Sequence, residues 1–228
     1  MQKDLIEYLS SYVTPERLDL FEKILAQRTY YFTVVLEDIY QPQNASAVLR
    51  TCDCFGIQGV HVIENRNSFR VNKEVALGSS KWLTIKKYNQ PENNSLQAIR
   101  ALKNKGYRIV ATSPHSNDVL LEDFDLAKGK AALVFGSELP GISETILNEA
   151  DEFVKIPMFG FTESFNISVS AAIVLHHLTQ KMRKTPALPW QLNSREKDEI
   201  RLQWLRNTIK RSDLIEKHYQ DQKTKGKT

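Results

Sequence analysis

The sequence has few cysteines and glycines and no long apolar run. Its 228 residues include two cysteines and nine glycines. No apolar run reaches the roughly 20 residues that a membrane span requires. The N-terminal stretch carries Asp4 where a signal peptide carries positive charge. We therefore expect a cytoplasmic protein with one main domain and short extensions.

The cysteines and two of the histidines do not indicate a metal site. Cys52 and Cys54 are too close for an ordinary structural disulfide and lack the second ligand pair of a zinc site. We interpret both as buried thiols on a helix. His176 and His177 are adjacent on a predicted helix, so they point in different directions and favour core or dimer packing. No metal is expected.

Two nucleotide-binding signatures are also missing. There is no Gly-x-Gly-x-x-Gly after the first predicted strand and no Walker A loop. Dinucleotide-dependent and nucleoside-triphosphate-dependent functions therefore lack support.

Basic charge is concentrated near the C-terminus. The formal net charge is +4, yet residues 181–228 hold 13 lysines and arginines against six acidic residues, a net of +7. Lysines and arginines that neutralise phosphates release counterions, so a polyanionic partner is one explanation of this distribution. A solvated helix with a frayed terminus explains it equally well on charge alone.

The pattern of apolar residues predicts an α/β fold with a mostly parallel sheet and helices on both faces. A first helix opens at Thr14-Pro15, with the threonine hydroxyl as its N-cap. Short β-rich runs then alternate with helical segments. The predicted strands are 32–36, 60–63, 108–112, 131–135 and 152–156, and the predicted helices are 45–55, 95–105, 143–150 and 164–182.

Two prolines mark the clearest domain boundary. Pro186 and Pro189 cannot continue a helix, and one further helix is predicted from Ser194, a plausible N-cap, to about His218. We therefore predict an N-terminal helical extension over 1–28, a main α/β domain over 29–184 and a basic helical extension over 185–228.

In an open parallel sheet, ligands bind beyond the carboxyl ends of the strands. After the first strand, Asn44 is placed to cap the next helix and Arg50 lies six residues further on. By themselves these two residues also fit a capped amphipathic helix with a surface arginine. After later strands come a small polar turn that begins at Thr112 and a loop that contains Gly136, Glu138 and the helix cap Ser143.

The segment from Ile156 to Ser170 has the strongest excess of polar groups. Ser164, Asn166, Ser168 and Ser170 place polar side chains and free backbone N–H groups at one helix start. This is more than capping of the helix requires, and the excess indicates a functional site.

Taken in order, these segments resemble the SpoU/TrmH family of the SPOUT superfamily of RNA 2′-O-methyltransferases. Residues 44–50 are similar to its N-x-x-A-x-x-R motif, 135–143 to F-G-x-E-x-x-G-I/L-S, and 156–169 to I-P-M-x-G-x-x-x-S-L/F-N-I/V-S-V. Phe165 is a conservative departure from the commoner leucine. The helix around 199–206 is similar to the tail of the members that modify guanosine 18 of tRNA.

The resemblance implies a SPOUT fold with a C-terminal trefoil knot at about 108–182, which general topology rules would discourage. It also implies S-adenosylmethionine as the methyl donor and a homodimer with shared active sites. The donor pocket would be lined by five residues: Thr112, Gly136, Ile156, Met158 and Phe165.

The same resemblance assigns the catalytic roles. Arg50 would face the donor held by the other subunit and act at the ribose 2′-hydroxyl of a tRNA. Because a guanidinium normally stays protonated, Arg50 would orient the hydroxyl or stabilise negative charge, unless it acts as the base that its family position suggests. Asn44 would position Arg50 or the ribose, and Glu138, Ser164 and Asn166 would shape the site.

Three alternatives remain at this point. Two of them are the same reaction on 23S rRNA and the same reaction on the tRNA wobble nucleotide. Only about 28 residues precede the first predicted strand, which favours a tRNA substrate. The third alternative is a non-catalytic RNA-binding protein on the same fold. The terminal helices are predicted to grip RNA phosphates through Arg206, Lys210, Arg211 and Lys217, or else only to cover the sheet or dimer.

Overall fold

The structure is a computed structural model that describes residues 2–91, 93–112, 118–137 and 140–225. The chain divides into two compact units. Thr29–Trp190 forms the larger one, and Met1–Arg28 together with Gln191–Thr228 forms the smaller one. Within the described residues, the helices and strands in chain order are α1 (Gln2–Ser10), α2 (Pro15–Leu25), β1 (Thr29–Glu37), α3 (Pro42–Phe55), β2 (Ile57–Ile63), α4 (Lys73–Ala76), β3 (Thr84–Tyr88), α5 (Asn94–Lys103), β4 (Arg108–Thr112), β5 (Val119–Leu120), β6 (Ala131–Phe135), α6 (Glu144–Glu149), β7 (Glu152–Lys155), α7 (Ile167–Lys184), α8 (Ser194–Thr208) and α9 (Ser212–Lys225).

The larger unit is built on a parallel sheet, as the sequence predicts. In its described part the sheet has seven strands in the order β3-β2-β1-β6-β4-β7-β5, and every pairing between them is parallel. β1 and β6 lie side by side near the centre, with Phe32 opposite Ala131. Both strands are almost wholly buried, because helices cover both faces.

Alternate residues of β1 point into two separate cores. Phe32, Val34 and Leu36 belong to a core formed with α3 and α7, and Val35 belongs to a core formed with α5 and α6. Cys52 is buried in the first core. Cys54 is exposed instead, so the expectation of two buried thiols is wrong for Cys54, which lies on the outer side of α3.

Several helix ends differ from the predicted ones. α3 begins at Pro42 with Gln41 as its N-cap, so Asn44 lies inside the first turn and does not cap the helix. α7 begins at Ile167 and is capped by Asn166, so Ser164 precedes the helix. Thr14 precedes α2 but its hydroxyl makes no capping bond to a backbone N–H.

The smaller unit consists of helices in its described part. The long C-terminal helix predicted from Ser194 is in fact two helices, because Arg211 adopts a left-handed backbone (φ 57°) between α8 and α9. The N-cap of α8 is Asn193, which forms a capping box with Glu196, and not Ser194.

Residues from both ends of the chain form the core of this smaller unit. The buried Trp204 of α8 packs edge-on against Phe21 of α2 at 5.4 Å between ring centroids, and the Arg28 guanidinium lies 5.5 Å from the Trp204 ring. Arg201 forms a two-pronged ion pair with Glu22, at 2.7 and 2.9 Å. The two ends of the chain, which are predicted as separate extensions, contribute their helices to one bundle.

Within the described ranges, no helix combines the length and the apolar character that crossing a membrane requires.

Candidate functional site

A cavity of about 320 Å³ lies beyond the carboxyl ends of β4, β6 and β7, beside the N-terminus of α7. This is the edge at which open parallel sheets bind ligands. The five residues predicted to hold the methyl donor all line this cavity, and so does Ser164. The five are Thr112, Gly136, Ile156, Met158 and Phe165.

A tight loop after β6 forms one wall of the cavity. Ser137 and Gly141 exchange two backbone hydrogen bonds of 3.1 Å, which hold the two ends of the loop together. A Cβ on Gly136 would lie 2.2 Å from the carbonyl carbon of Gly141, which no real side chain tolerates. Gly141 itself has a φ of 68°, a conformation that favours glycine. The glycines of this motif therefore determine the shape of the cavity wall.

A buried carboxylate anchors the end of that loop. Glu37, at the end of β1, is only 2% exposed. Its Oε2 accepts the backbone N–H of Ser143 at 2.8 Å, and its Oε1 accepts the Ser143 hydroxyl at 2.7 Å. The Ser95 hydroxyl also donates to Oε1. Because the loop ends at Ser143, Glu37 holds its position relative to the sheet.

Two of the predicted catalytic residues are joined directly. Asn166 Nδ2 donates to Asn44 Oδ1 at 3.1 Å, and Asn44 Nδ2 donates to Gln41 Oε1 at 3.3 Å. Asn166 Oδ1 accepts the backbone N–H of Ser168 at 2.8 Å, which caps α7. Asn44 is buried, so its amide is held in one orientation.

Arg50 lies apart from this pair. It is an exposed residue of α3 and does not line the cavity of its own chain. Among the described residues it has no ion-pair or hydrogen-bond partner. Glu138, the remaining predicted catalytic residue, lies outside the described residues.

The four predicted RNA-binding residues differ in their surroundings. Arg206 forms a two-pronged ion pair with Glu216, at 2.7 and 2.8 Å, which ties α8 to α9. Hydrogen bonding to Glu216 raises the pKa of Arg206 above its ordinary value. Lys210, Arg211 and Lys217 are exposed, and the structure records no ion pair for any of them among the residues it describes.

Sequence reasoning missed several residues that line the cavity. These residues are Ser137, Gly141, Ile142 and Glu163. All four fall inside the loop and the polar segment singled out by the motifs, so position within those motifs is the signal that would have found them. Glu37 gave no such signal, because its partners Ser95 and Ser143 are 58 and 106 residues away.

The fold and the cavity define a three-layer α/β protein that binds a ligand beyond the carboxyl ends of a parallel sheet. The sequence matches the SpoU rRNA Methylase family over residues 31–176. The chain therefore belongs to that family.

Individual relatives extend over most of the chain. A Borreliella burgdorferi protein named tRNA (guanosine(18)-2′-O)-methyltransferase is 45% identical over 211 residues, which are 92% of this chain and 94% of that protein. The crystal structure of the Aquifex aeolicus TrmH/SpoU tRNA modifying enzyme has a TM-score of 0.75 and 29% identity, and covers 86% of this chain and 98% of that one.

A more distant likeness shows the fold alone. The SpoU methyltransferase AviRb from Streptomyces viridochromogenes, described in complex with the cofactor AdoMet, is 21% identical with a TM-score of 0.57. That comparison covers 71% of this chain and 62% of the other.

Proposed function

We propose that this protein transfers a methyl group from S-adenosylmethionine to the ribose 2′-hydroxyl of guanosine 18 in tRNA. One observation carries the proposal. The cavity at the carboxyl edge of the sheet lies beside the Asn44–Asn166 pair in a chain that is 45% identical to a tRNA guanosine-18 2′-O-methyltransferase over nearly its whole length. The names of such relatives favour guanosine 18 over the wobble nucleotide and 23S rRNA. Asn44, Arg50 and Asn166 are all present, which argues against a non-catalytic relative.

The cavity fits a small organic cofactor. Its volume of about 320 Å³ is at the lower end of the range of about 300–1,000 Å³ for such sites. Ile156, Phe165 and Val174 supply apolar contacts for a planar base. The Thr112 hydroxyl already donates to the Val134 carbonyl at 2.9 Å, so its lone pairs are left to accept a hydrogen bond from a ligand.

S-adenosylmethionine, when bound, supplies a methyl group on a positively charged sulfur that is already activated for transfer. The protein must then hold the 2′-oxygen in line and stabilise the charge that develops on it. Arg50 supplies a permanent positive charge for that purpose. Asn44, fixed by Asn166, orients the ribose or Arg50, and water or an RNA phosphate takes the proton.

Arg50 reaches such a site if two copies of the chain associate. Arg50 does not line the cavity of its own chain, so the proposed site is completed by Arg50 of a second copy. A groove of about 530 Å³ on α7, lined by Phe55, Ile173 and His176 among others, offers an apolar surface for that association. The dimer and the trefoil knot belong to this proposal, because both are implied by the family.

The smaller unit is proposed to bind tRNA phosphates. Lys210, Arg211 and Lys217 are exposed on or between α8 and α9, whereas Arg206 serves to hold these helices together. Such contacts give affinity without choosing a nucleotide. A tRNA substrate also accords with a cytoplasmic location.

The test uses purified protein, a tRNA transcript and S-adenosylmethionine labelled on its methyl group. Label should appear in the transcript, and nucleotide mapping should place a 2′-O-methyl group at guanosine 18. A transcript with 2′-deoxyguanosine at that position is the matched control and should remain unlabelled. Methylation at the wobble position, or of 23S rRNA alone, would contradict the proposal.

A further inference from the structure

A second cavity, of about 460 Å³, lies at the carboxyl ends of β1 and β2. Ser137 and Gly141, which are paired by backbone hydrogen bonds, line both this cavity and the first one. The two cavities are therefore neighbours that share this pair of residues as a common wall. The second cavity is lined mainly by charged, amide and hydroxyl side chains, among them Asp38, Arg66 and Asn67.

Asp38 is held in an unusual way in this wall. Its φ is 52°, which costs energy for a residue with a side chain. Asp38 Oδ1 accepts backbone N–H groups from Asn65, Arg66 and Asn67 at 2.7, 2.8 and 3.3 Å, and Asn67 Nδ2 donates to the Asp38 carbonyl at 2.8 Å. These bonds fix the carboxylate while its Oδ2 has no partner among the described residues. Asp38 thus lines the cavity with one acceptor oxygen that the fold does not use.

Arg66 supplies the complementary charge. Its backbone N–H binds Asp38, its side chain is exposed, and the residue lines the same cavity. Within the described part of the chain, its guanidinium has no ion-pair partner. Asp38 and Arg66 thus bring an unused acceptor oxygen and an unpaired group of donors to one polar cavity.

This arrangement matches guanine among the nucleobases. The pairing edge of guanine presents N1–H and N2–H₂ as donors and O6 as an acceptor, whereas adenine presents an acceptor at N1 and a donor at N6. A carboxylate accepts and never donates when ionised, and arginine binds O6 and N7 of guanine through two donors. We propose that Asp38 and Arg66 form a guanine-reading subsite. This inference rests on the proposed function and names the group that selects the base.

The test compares tRNA transcripts that carry guanosine or inosine at position 18. Inosine lacks only the 2-amino group. The wild-type methylation rate should fall by about tenfold or more on the inosine transcript, which is the usual effect of losing one hydrogen bond to a charged group. Asp38→Asn keeps an oxygen for the three backbone N–H groups but replaces the free acceptor with a donor. This variant should methylate the guanosine transcript slowly and the inosine transcript at about the same slow rate.

Two controls separate base reading from folding and donor binding. Asp123→Asn removes an exposed carboxylate from the same unit and should keep the wild-type inosine penalty. Arg66→Gln leaves the backbone hydrogen bonds to Asp38 intact. It should slow methylation of both transcripts by the same factor, roughly tenfold, because both bases retain O6. Calorimetric affinity for S-adenosylmethionine should remain unchanged in Asp38→Asn.

The outcomes distinguish this inference from the proposed function. An equal inosine penalty in Asp38→Asn and wild type, or an unchanged rate in Arg66→Gln, overturns the guanine subsite while leaving the methyltransferase proposal intact. Weaker donor binding by Asp38→Asn assigns the second cavity to the donor and also overturns it. If the wild-type protein methylates no tRNA transcript, the proposed function fails and the subsite fails with it.

Discussion

Asn166 Nδ2 donates to Asn44 Oδ1 at 3.1 Å, which joins the N-cap of α7 to the first turn of α3. The two residues are 122 positions apart in the chain. Because Asn166 also caps α7 through its Oδ1, the side chain that orders the helix start is the one that orients Asn44. The two motifs therefore meet in one hydrogen-bonded group, and a change in either should affect the other.

Asn44→Ala should lower kcat for tRNA methylation by about tenfold or more, because a buried, oriented amide is lost from the site. The affinity for S-adenosylmethionine should change by less than about twofold. Steady-state kinetics and calorimetry provide the two measurements. Gln43→Ala, at an exposed position in the same helix turn, is the matched control. Equal activity in the two variants would remove Asn44 from the proposed site.

Arg50→Ala should abolish detectable methyl transfer, with a loss of at least about 100-fold, because a permanent charge near the reacting oxygen is removed. Donor binding should be retained, since in the proposed site Arg50 acts on the ribose and not on the donor. Mixing Arg50→Ala with a variant that cannot bind the donor should restore part of the activity through mixed dimers. Wild-type rates in Arg50→Ala, or an active monomer in sedimentation, would contradict the shared site.

Gly136→Ala should prevent binding of S-adenosylmethionine. The new Cβ would meet the Gly141 carbonyl carbon at 2.2 Å, so the loop that forms the cavity wall must move. Gly160→Ala is the matched control, because its Cβ would find only the Thr162 nitrogen, at 4.0 Å. Calorimetry with the donor should detect no binding for the first variant and ordinary binding for the second. Equal affinity in both would show that this wall does not contact the donor.

The strands that the sequence predicts are those that burial marks with a clear pattern. β1 and β6 are buried on both faces, so their sequences are nearly continuous apolar runs. β3 was missed because Lys86 and Lys87 are exposed on an edge strand, and β5 has only two residues. The break at Arg211 was missed because the amphipathic pattern continues across it.

The site was predictable to the extent that it lies in contiguous motifs. Thr112 ends β4, Gly136 directly follows β6 and Phe165 lies in the segment between β7 and α7, so the three residues line one cavity at the carboxyl edge of the sheet. The Glu37–Ser143 and Asn44–Asn166 contacts depend on long-range packing that no local pattern encodes. Asn44 was mistaken for a cap because proline at the first helical position moved the helix start to Pro42.

Acidification should destabilise the larger unit through His61. Burial, aided by Lys105 and Lys86, lowers the pKa of His61 to about 4 from 6.5. The unfolded chain therefore binds a proton between these values and the folded chain does not, so stability falls as the pH drops from 6.5 towards 4. Urea denaturation should give about 2 kcal/mol less stability from this group at pH 5 than at pH 7.

His61→Gln should remove most of that pH dependence. His218→Gln, an exposed position on α9, serves as the comparison. An unchanged difference between pH 5 and pH 7 in His61→Gln would assign the effect to other groups.

Lys210→Gln combined with Lys217→Gln should weaken tRNA binding and flatten its salt dependence. Each lost phosphate contact reduces the log–log slope by roughly one unit. The methylated nucleotide should stay the same, because such contacts do not read bases. Filter binding across a range of salt concentrations measures the slope. Lys105→Gln, an exposed position on the larger unit, is the control. An identical slope in the wild type, the double variant and the control would show that Lys210 and Lys217 do not contact phosphates.

The bundle of the smaller unit has a consequence for the order of events during translation. Phe21 and Leu25 of α2 leave the ribosome early, but Trp204, against which Phe21 packs, is made only after the whole of Thr29–Trp190. The sheet unit has time to fold while these side chains are still without their final neighbours. The basic surface that requires α8 and α9 in place is therefore completed only when the last helices have been made.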